Sequence, residues 1–126
     1  MAGAQSQTSN ARFPKRFRVL KSADYQRIQR EGHRYHTSSF TLLMLSSTQP
    51  NTRLGIIATK KIGNAVVRNR VKRRLREVFR QHRDYFPEGA DIVVIAKARA
   101  ADADYHDVES ELQKLARVWR KKEQSA

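Results

Sequence analysis

The sequence predicts an α+β fold, a two-layer α/β sandwich in the order α-β-β-α-β-α, with an extra short strand around 33–37 and a central sheet packed by a long basic helix. Two patterns carry this expectation. Segments in which apolar and polar side chains alternate lie between segments whose apolar residues recur every three or four positions, and Pro, Gly and Asn punctuate the joints. A third observation sets the scale: 126 residues is the length of one domain with one core. Residues 1–126 are read as a single domain with disordered ends at 1–11 and 122–126.

Residues 1–11 are small and polar and lack the apolar run of a signal peptide. The next ten place Arg12, Lys15, Arg16, Arg18 and Lys21 around Phe13, Pro14 and Phe17, an extended basic arm. Ser22 as N-cap, Asp24 in the first turn and Gly32 as a left-handed stop bound a first helix, with Tyr25 and Ile28 on one face. From His33 to Ser47 the chain is rich in Thr, Ser, Phe, Tyr and Leu. Alternation puts Phe40, Leu42 and Met44 on a core face and Ser39, Thr41 and Leu43 on a partly open one. Thr48-Gln49-Pro50-Asn51 is turn chemistry, and Arg53 to Thr59 reads as a strand antiparallel to the preceding one.

Lys60-Lys61-Ile62-Gly63-Asn64 turns the chain into its longest predicted helix, about Ala65 to Tyr85, with Asn64 as N-cap. Val67, Val71, Leu75, Val78, Phe79, His82 and Phe86 share one arc of ~120°, the apolar stripe of a helix lying on a sheet. Pro87, Glu88 and Gly89 end that run. Asp91 to Ala96 is a strand whose unbroken Ile-Val-Val-Ile requires cover on both faces or a central, parallel position. The last helix, about Asp104 to Lys121, aligns Tyr105, Val108, Leu112, Leu115, Ala116 and Trp119, with acids early and bases late as its dipole favours.

Charge narrows the function. Residues 1–76 carry 17 Lys and Arg against two acids, Asp24 and Glu31, and no carboxylate lies between Glu31 and Glu77. The formal net charge of +14 therefore sits in the first three-fifths of the chain. Local ion pairs do not neutralise that field, which attracts a polyanion over a Debye length of ~8 Å or more. On the long helix Lys72, Arg83, Arg76, Asn69, Arg80, Arg73, Arg70 and Arg74 fill the arc opposite the apolar stripe. A face selected for solubility alone interleaves Glu with Lys at four-residue steps, whereas here Arg70 and Arg74, Lys72 and Arg76, and Arg76 and Arg80 repel. The guanidinium's five donors suit bidentate phosphate contact and stacking on bases.

Other chemistries find little support. With no cysteine, disulfide frameworks, zinc ribbons and thiol nucleophiles are excluded. His33 and His36 have metal-ligand spacing but no Cys or carboxylate beside them in sequence, so surface hydrogen bonding is the better account. His82 lies on the apolar arc as a core or rim histidine. Asp102, Asp104, Asp107, Glu109 and Glu111 surround a helix start, where acids are expected. Gly63 stands alone, without phosphate-loop spacing. No apolar stretch approaches the ~20 residues needed to cross a bilayer. The expectation is a cytoplasmic nucleic-acid-binding protein with no catalytic or metal site of its own.

The run Lys60-Lys61-Ile62-Gly63-Asn64-Ala65-Val66-Val67-Arg68-Asn69-Arg70-Val71-Lys72-Arg73-Arg74-Leu75-Arg76-Glu77 closely resembles the signature of the bacterial ribonuclease P protein component. The resemblance extends from about Arg16 to Arg120, with arm, helix, strands, signature helix, aliphatic strand and final helix in that family's order. It implies a ribosomal-protein-like α+β architecture with a rare left-handed β-α-β crossover. It also implies a function: the protein subunit assists a large catalytic RNA that removes the 5′ leader of precursor tRNA with magnesium ions held by the RNA. By position, Arg68, Asn69, Arg70, Lys72, Arg73 and Arg76, with Lys60 and Lys61, would contact the catalytic RNA. A cleft between the first helix and the open sheet face would take the leader, using Arg18, Tyr25, Ser39, Thr41 and Leu43. Leu43 and Gln29 stand where some relatives place aromatics, which moves leader stacking toward Phe17. The implied assembly is one monomeric protein per RNA. A noncatalytic RNA-binding protein of ribosomal type explains the same charge and pattern, and a sequence-specific DNA binder comes third, since no helix-turn-helix is present.

Overall fold

The computed structural model describes residues 15–19 and 21–125, with side chains described to Trp119. The expectation of disorder at 1–11 and the first part of the basic arm lie outside the described residues. Four strands form one sheet: β1 (His33–His36), β2 (Phe40–Ser46), β3 (Arg53–Ile57) and β4 (Ala90–Ala96). Three helices accompany them: α1 (Ser22–Glu31), α2 (Ala65–Gln81) and α3 (Tyr105–Ser125). The short strand expected around 33–37 is β1.

The sheet runs β1-β2-β4-β3. β2 pairs antiparallel with β1 and with β4, whereas β3 pairs with β4 in parallel. The predicted antiparallel pairing of the second and third strands is therefore wrong: β4 enters between them. The reason lies in β4 itself. Ile92, Val93 and Val94 are buried and alternate between the sheet's two faces, so β4 must be central and have neighbours on both sides. β3 and β4 become a parallel pair joined through α2.

Alternation divides the core. Phe40, Leu42 and Met44 of β2 and Ile92 and Val94 of β4 meet Val71, Leu75, Val78 and Phe79 of α2 and Val108, Leu112 and Leu115 of α3. On the opposite face Leu43 and Val93 are covered by Ile28 of α1 and by Val19. Burial of such side chains contributes roughly 1.5–3 kcal/mol each, so both helical covers are held by packing.

The helix ends depart from expectation at α1. Lys21, not Ser22, is its N-cap residue and makes no side-chain cap. Gly32 has φ −72°, an ordinary extended conformation rather than a left-handed stop. Its glycine identity is explained by a close approach, since a Cβ there would lie 2.6 Å from the Ile28 carbonyl oxygen and 3.2 Å from that of Met44. Asn64 caps α2 as predicted, its Oδ1 accepting from the Val67 N–H at 3.1 Å. That helix ends at Gln81, and a separate 3-10 turn, Arg83–Tyr85, follows it. α3 continues to Ser125, beyond the predicted end at Lys121.

Candidate nucleic-acid interface

The predicted RNA-contact residues surround the entry and outer face of α2 but are not equivalent. Lys60 and Lys61 stand exposed in the 3-10 turn Lys60–Ile62 that leads into the helix. Asn69, Arg73 and Arg76 are exposed along it, and Lys72 is half-buried. Arg68 and Arg70 are half-buried and partly committed to the protein: Arg68 donates to the Gly63 carbonyl at 3.3 Å and Arg70 to that of Ala101 at 3.2 Å. Arg74, outside the predicted set, donates to the Ala103 carbonyl at 2.6 Å. These two arginines tie α2 to the 3-10 segment Ala98–Asp102 and its C-cap.

The predicted cleft is rearranged more. Leu43 is fully buried beneath α1 and cannot reach a ligand. Ser39 is 1% exposed and faces α3, where its N–H and hydroxyl donate to Glu111 at 3.0 and 2.7 Å. Thr41 is buried, with its Oγ1 3.2 Å from His36 Nδ1. Ser39, Thr41 and Leu43 thus do not form an open wall, because the strand period assigns a face but not which helix covers it. Half-buried Ile57 and Ile95 provide the remaining apolar floor beside Tyr25.

Tyr25 is seated on Gly55 of β3. A Cβ at Gly55 would come within 2.7–2.8 Å of its phenol ring. A glycine inside a strand is the signal of such close approach. Phe17, to which leader stacking was assigned, is half-buried against the main core with the Arg83 guanidinium 3.7 Å and the Arg16 guanidinium 4.7 Å from its ring centroid. The Arg83 pKa is lowered by desolvation and then by Arg16 and Arg80 nearby. Arg16 and Arg83 were not singled out as site residues; their interleaving with Phe17 is a cation–π cluster that a helical wheel does not show.

A buried ion network positions α1 over the sheet. Asp91 at the start of β4 is 0% exposed and accepts from Arg53 Nε and Nη2, both at 2.8 Å, and from Arg27 of α1 at 3.3 Å. Asp24 of α1 lies 3.7 Å from both Arg27 and Arg53. The hydrogen bond to Asp91 raises the Arg53 pKa above its ordinary value. The sequence places Asp24 in the first turn of α1 and Arg53 and Asp91 at strand starts but shows none of these pairings.

Of the titratable groups considered above for catalysis, His82, Glu109, Glu111, Asp104 and Asp107 have structural partners. His82 Nε2 lies 2.6 Å from Glu109, and Glu111 binds Ser39. Asp104 and Asp107 cap α3 reciprocally through backbone N–H donors at 2.9 and 3.1 Å, and the first of these bonds holds the Asp104 carboxyl below its usual pKa. Among the described residues no group of three or more His, Cys, Asp or Glu could hold a metal ion. No described helix is long and apolar enough to cross a membrane. The arrangement offers cationic donors beside an aromatic ring and an apolar floor, the chemistry that accommodates a nucleic-acid backbone and unstacked bases.

Known proteins resemble this chain in sequence and in fold. The Ribonuclease P family model matches residues 13–120. The chain is 43% identical over 103 residues to a ribonuclease P protein component of Desulforapulum autotrophicum, covering 82% of this chain and 88% of that relative. It is 40% identical over 111 residues to one of Dictyoglomus thermophilum, covering 86% and 90%. The structure of the Staphylococcus aureus RNase P protein superposes with a TM-score of 0.74 at 35% identity, over 81% of this chain and 94% of that one. The Thermotoga maritima RNase P protein gives 0.72 at 32% identity, over 79% and 94%. Similar in sequence and in fold across nearly the whole length of these relatives, the chain belongs to the ribonuclease P protein component family, a subunit of a ribonucleoprotein endoribonuclease.

Proposed function

We propose that this protein binds the catalytic RNA of ribonuclease P through the outer face of α2 and receives the 5′ leader of precursor tRNA along α1 and β3. The observation that carries the reading is the stripe Asn69, Lys72, Arg73 and Arg76, continuous with Lys60 and Lys61 and interrupted by no carboxylate before Glu77. Such a surface neutralises phosphates and releases their counterions, the main source of affinity for nucleic acid. Tyr25 supplies a π-face for an unstacked base, with Ile57 and Ile95 beside it. The protein's work is binding and orientation, while magnesium ions held by the RNA perform the hydrolysis. One copy per RNA, acting in the cytoplasm, completes the proposal.

Reconstitution tests it. Protein alone is expected to leave precursor tRNA intact. Protein added to a bacterial catalytic RNA of this type with magnesium is expected to raise specific cleavage at the leader junction under conditions where that RNA alone is slow. No gain over RNA alone, or specific cleavage by protein alone, overturns the reading.

Tyr25→Ala addresses the leader surface. Loss of a stacked base is expected to weaken binding of leader-bearing precursor by about 1–3 kcal/mol while binding of mature tRNA is unchanged. Equilibrium titration of both RNAs against a variant whose thermal unfolding is two-state checks this, and an equal loss for both removes Tyr25 from the leader site.

A further inference from the structure

The sheet face that α1 covers is open at one end. The strand registers set His36, Thr41, Ile95 and Ile57 opposite one another, one residue from each strand, in a single row across the sheet from β1 to β3. In the next row on that face α1 closes the surface, with Ile28 over Leu43 and Val93 and Tyr25 on Gly55. In the open row Ile57 and Ile95 are half-buried, Thr41 is buried and His36 is exposed. At ~4.8 Å between neighbouring strands, the row is ~14 Å long. It holds no Lys, Arg, Asp or Glu. Its apolar floor therefore suits the faces of unstacked bases rather than phosphates.

We propose that His36 is a specificity-determining residue for the leader, donating a hydrogen bond from Nε2–H to an acceptor on the edge of one unpaired base lying in this row. The ring is fixed for that role. Its Nδ1 lies 3.2 Å from Thr41 Oγ1. Among the described residues the buried Thr41 hydroxyl has no other partner, and a buried O–H without an acceptor is costly. Thr41 therefore donates to Nδ1, which puts the ring proton on Nε2. That nitrogen has no partner among the described residues, and it belongs to an exposed side chain. Thr41 is thus a positioning residue that holds both the tautomer and the ring orientation. The acceptors that match an N–H donor are the carbonyl oxygens of uracil, cytosine and guanine and the ring nitrogens of the purines.

The proposal rests on the leader reading and adds a second contact to it: Tyr25 stacks on one base at β3, and His36 selects another where the strand reaches β1. Holoenzyme reconstituted from the full chain and a bacterial catalytic RNA of this type is titrated with precursor tRNAs whose leader nucleotides are made abasic one at a time. At one position the abasic substitution is expected to weaken binding about fivefold with the parent protein and to have no effect with His36→Ala. His36→Gln, whose side-chain amide also donates, is expected to keep that sensitivity, and His36→Leu to lose it. Thr41→Val is expected to reduce it to about twofold and to move the ring 15N signals of His36 away from a pure Nε2–H tautomer, a change that a merely structural threonine would not produce. The proposal is overturned if no leader position separates parent from His36→Ala, or if His36→Leu behaves as the parent does. Tyr25→Ala in the same series separates the two levels of inference. If it still weakens leader-bearing RNA selectively while His36→Ala does not, the His36 assignment falls and the leader surface stands; if neither variant distinguishes precursor from mature tRNA, both fall.

Discussion

Replacing Asp91 with alanine is expected to lower the free energy of unfolding by about 3–5 kcal/mol, the cost of removing one partner from a buried ion pair. Arg53 donates to Asp91 twice and its side chain is only 13% exposed, so its charge would be left in a site with little water. Asp24 at 3.7 Å is too distant to replace two bonds of 2.8 Å. For a domain with a total stability of roughly 5–15 kcal/mol, the loss approaches the unfolding threshold. Urea unfolding followed by circular dichroism measures it. Arg27→Ala is expected to cost less, because that side chain is 36% exposed and its bond to Asp91 is 3.3 Å. A cost below about 1 kcal/mol for Asp91→Ala would show that the network contributes little and that the apolar contacts of Ile28 and Val19 hold α1 alone.

The residues of this network also mark where sequence reading ends. Periodicity identified α2, its Asn64 cap and its apolar arc, because those depend on neighbours within a few positions. It located β4 and its buried character for the same reason. Partner choice is different in kind. Arg53 meets Asp91 across 38 positions of sequence, and no local pattern records which of several arginines reaches a lone aspartate. The strand order failed similarly: the short turn at 48–51 favours a hairpin locally, yet the demand of β4 for cover on both faces prevails. The clue was present, since an unbroken Ile-Val-Val-Ile strand is ill suited to a sheet edge.

The candidate site follows the same division. The charges on α2 were legible because a helical wheel and a missing carboxylate suffice to find them. Whether each charge is free was not. Arg70 and Arg74 hydrogen-bond to backbone carbonyls more than 25 positions away. Leu43 and Ser39 were placed on an open face that α1 and Glu111 of α3 occupy. Tyr25 sits on Gly55 of β3, and that glycine was the unused signal of its position.

That distinction among the arginines separates affinity from stability. Alanine at Lys61, Arg73 and Arg76 together is expected to weaken assembly with the catalytic RNA about 10²-fold at physiological salt, from the loss of roughly 0.9 released counterion per phosphate contact. The same counting makes the log-log salt slope shallower by about 3. Because counterion release gains nothing when bulk salt is already concentrated, the binding curves of variant and parent should converge near ~1 M salt. All three side chains are exposed, so the unfolding free energy should stay within about 0.5 kcal/mol of the parent. Alanine at Arg70 and Arg74 should do the reverse in stability: each substitution leaves a carbonyl of the Ala98–Ala103 region without its charged donor, at about 1–3 kcal/mol. Filter binding across a salt series and denaturant unfolding of both variants provide the comparison. An unchanged salt slope in the first variant would mean that α2 does not meet phosphates, and RNA recognition would then rest on the arm and the β3 edge.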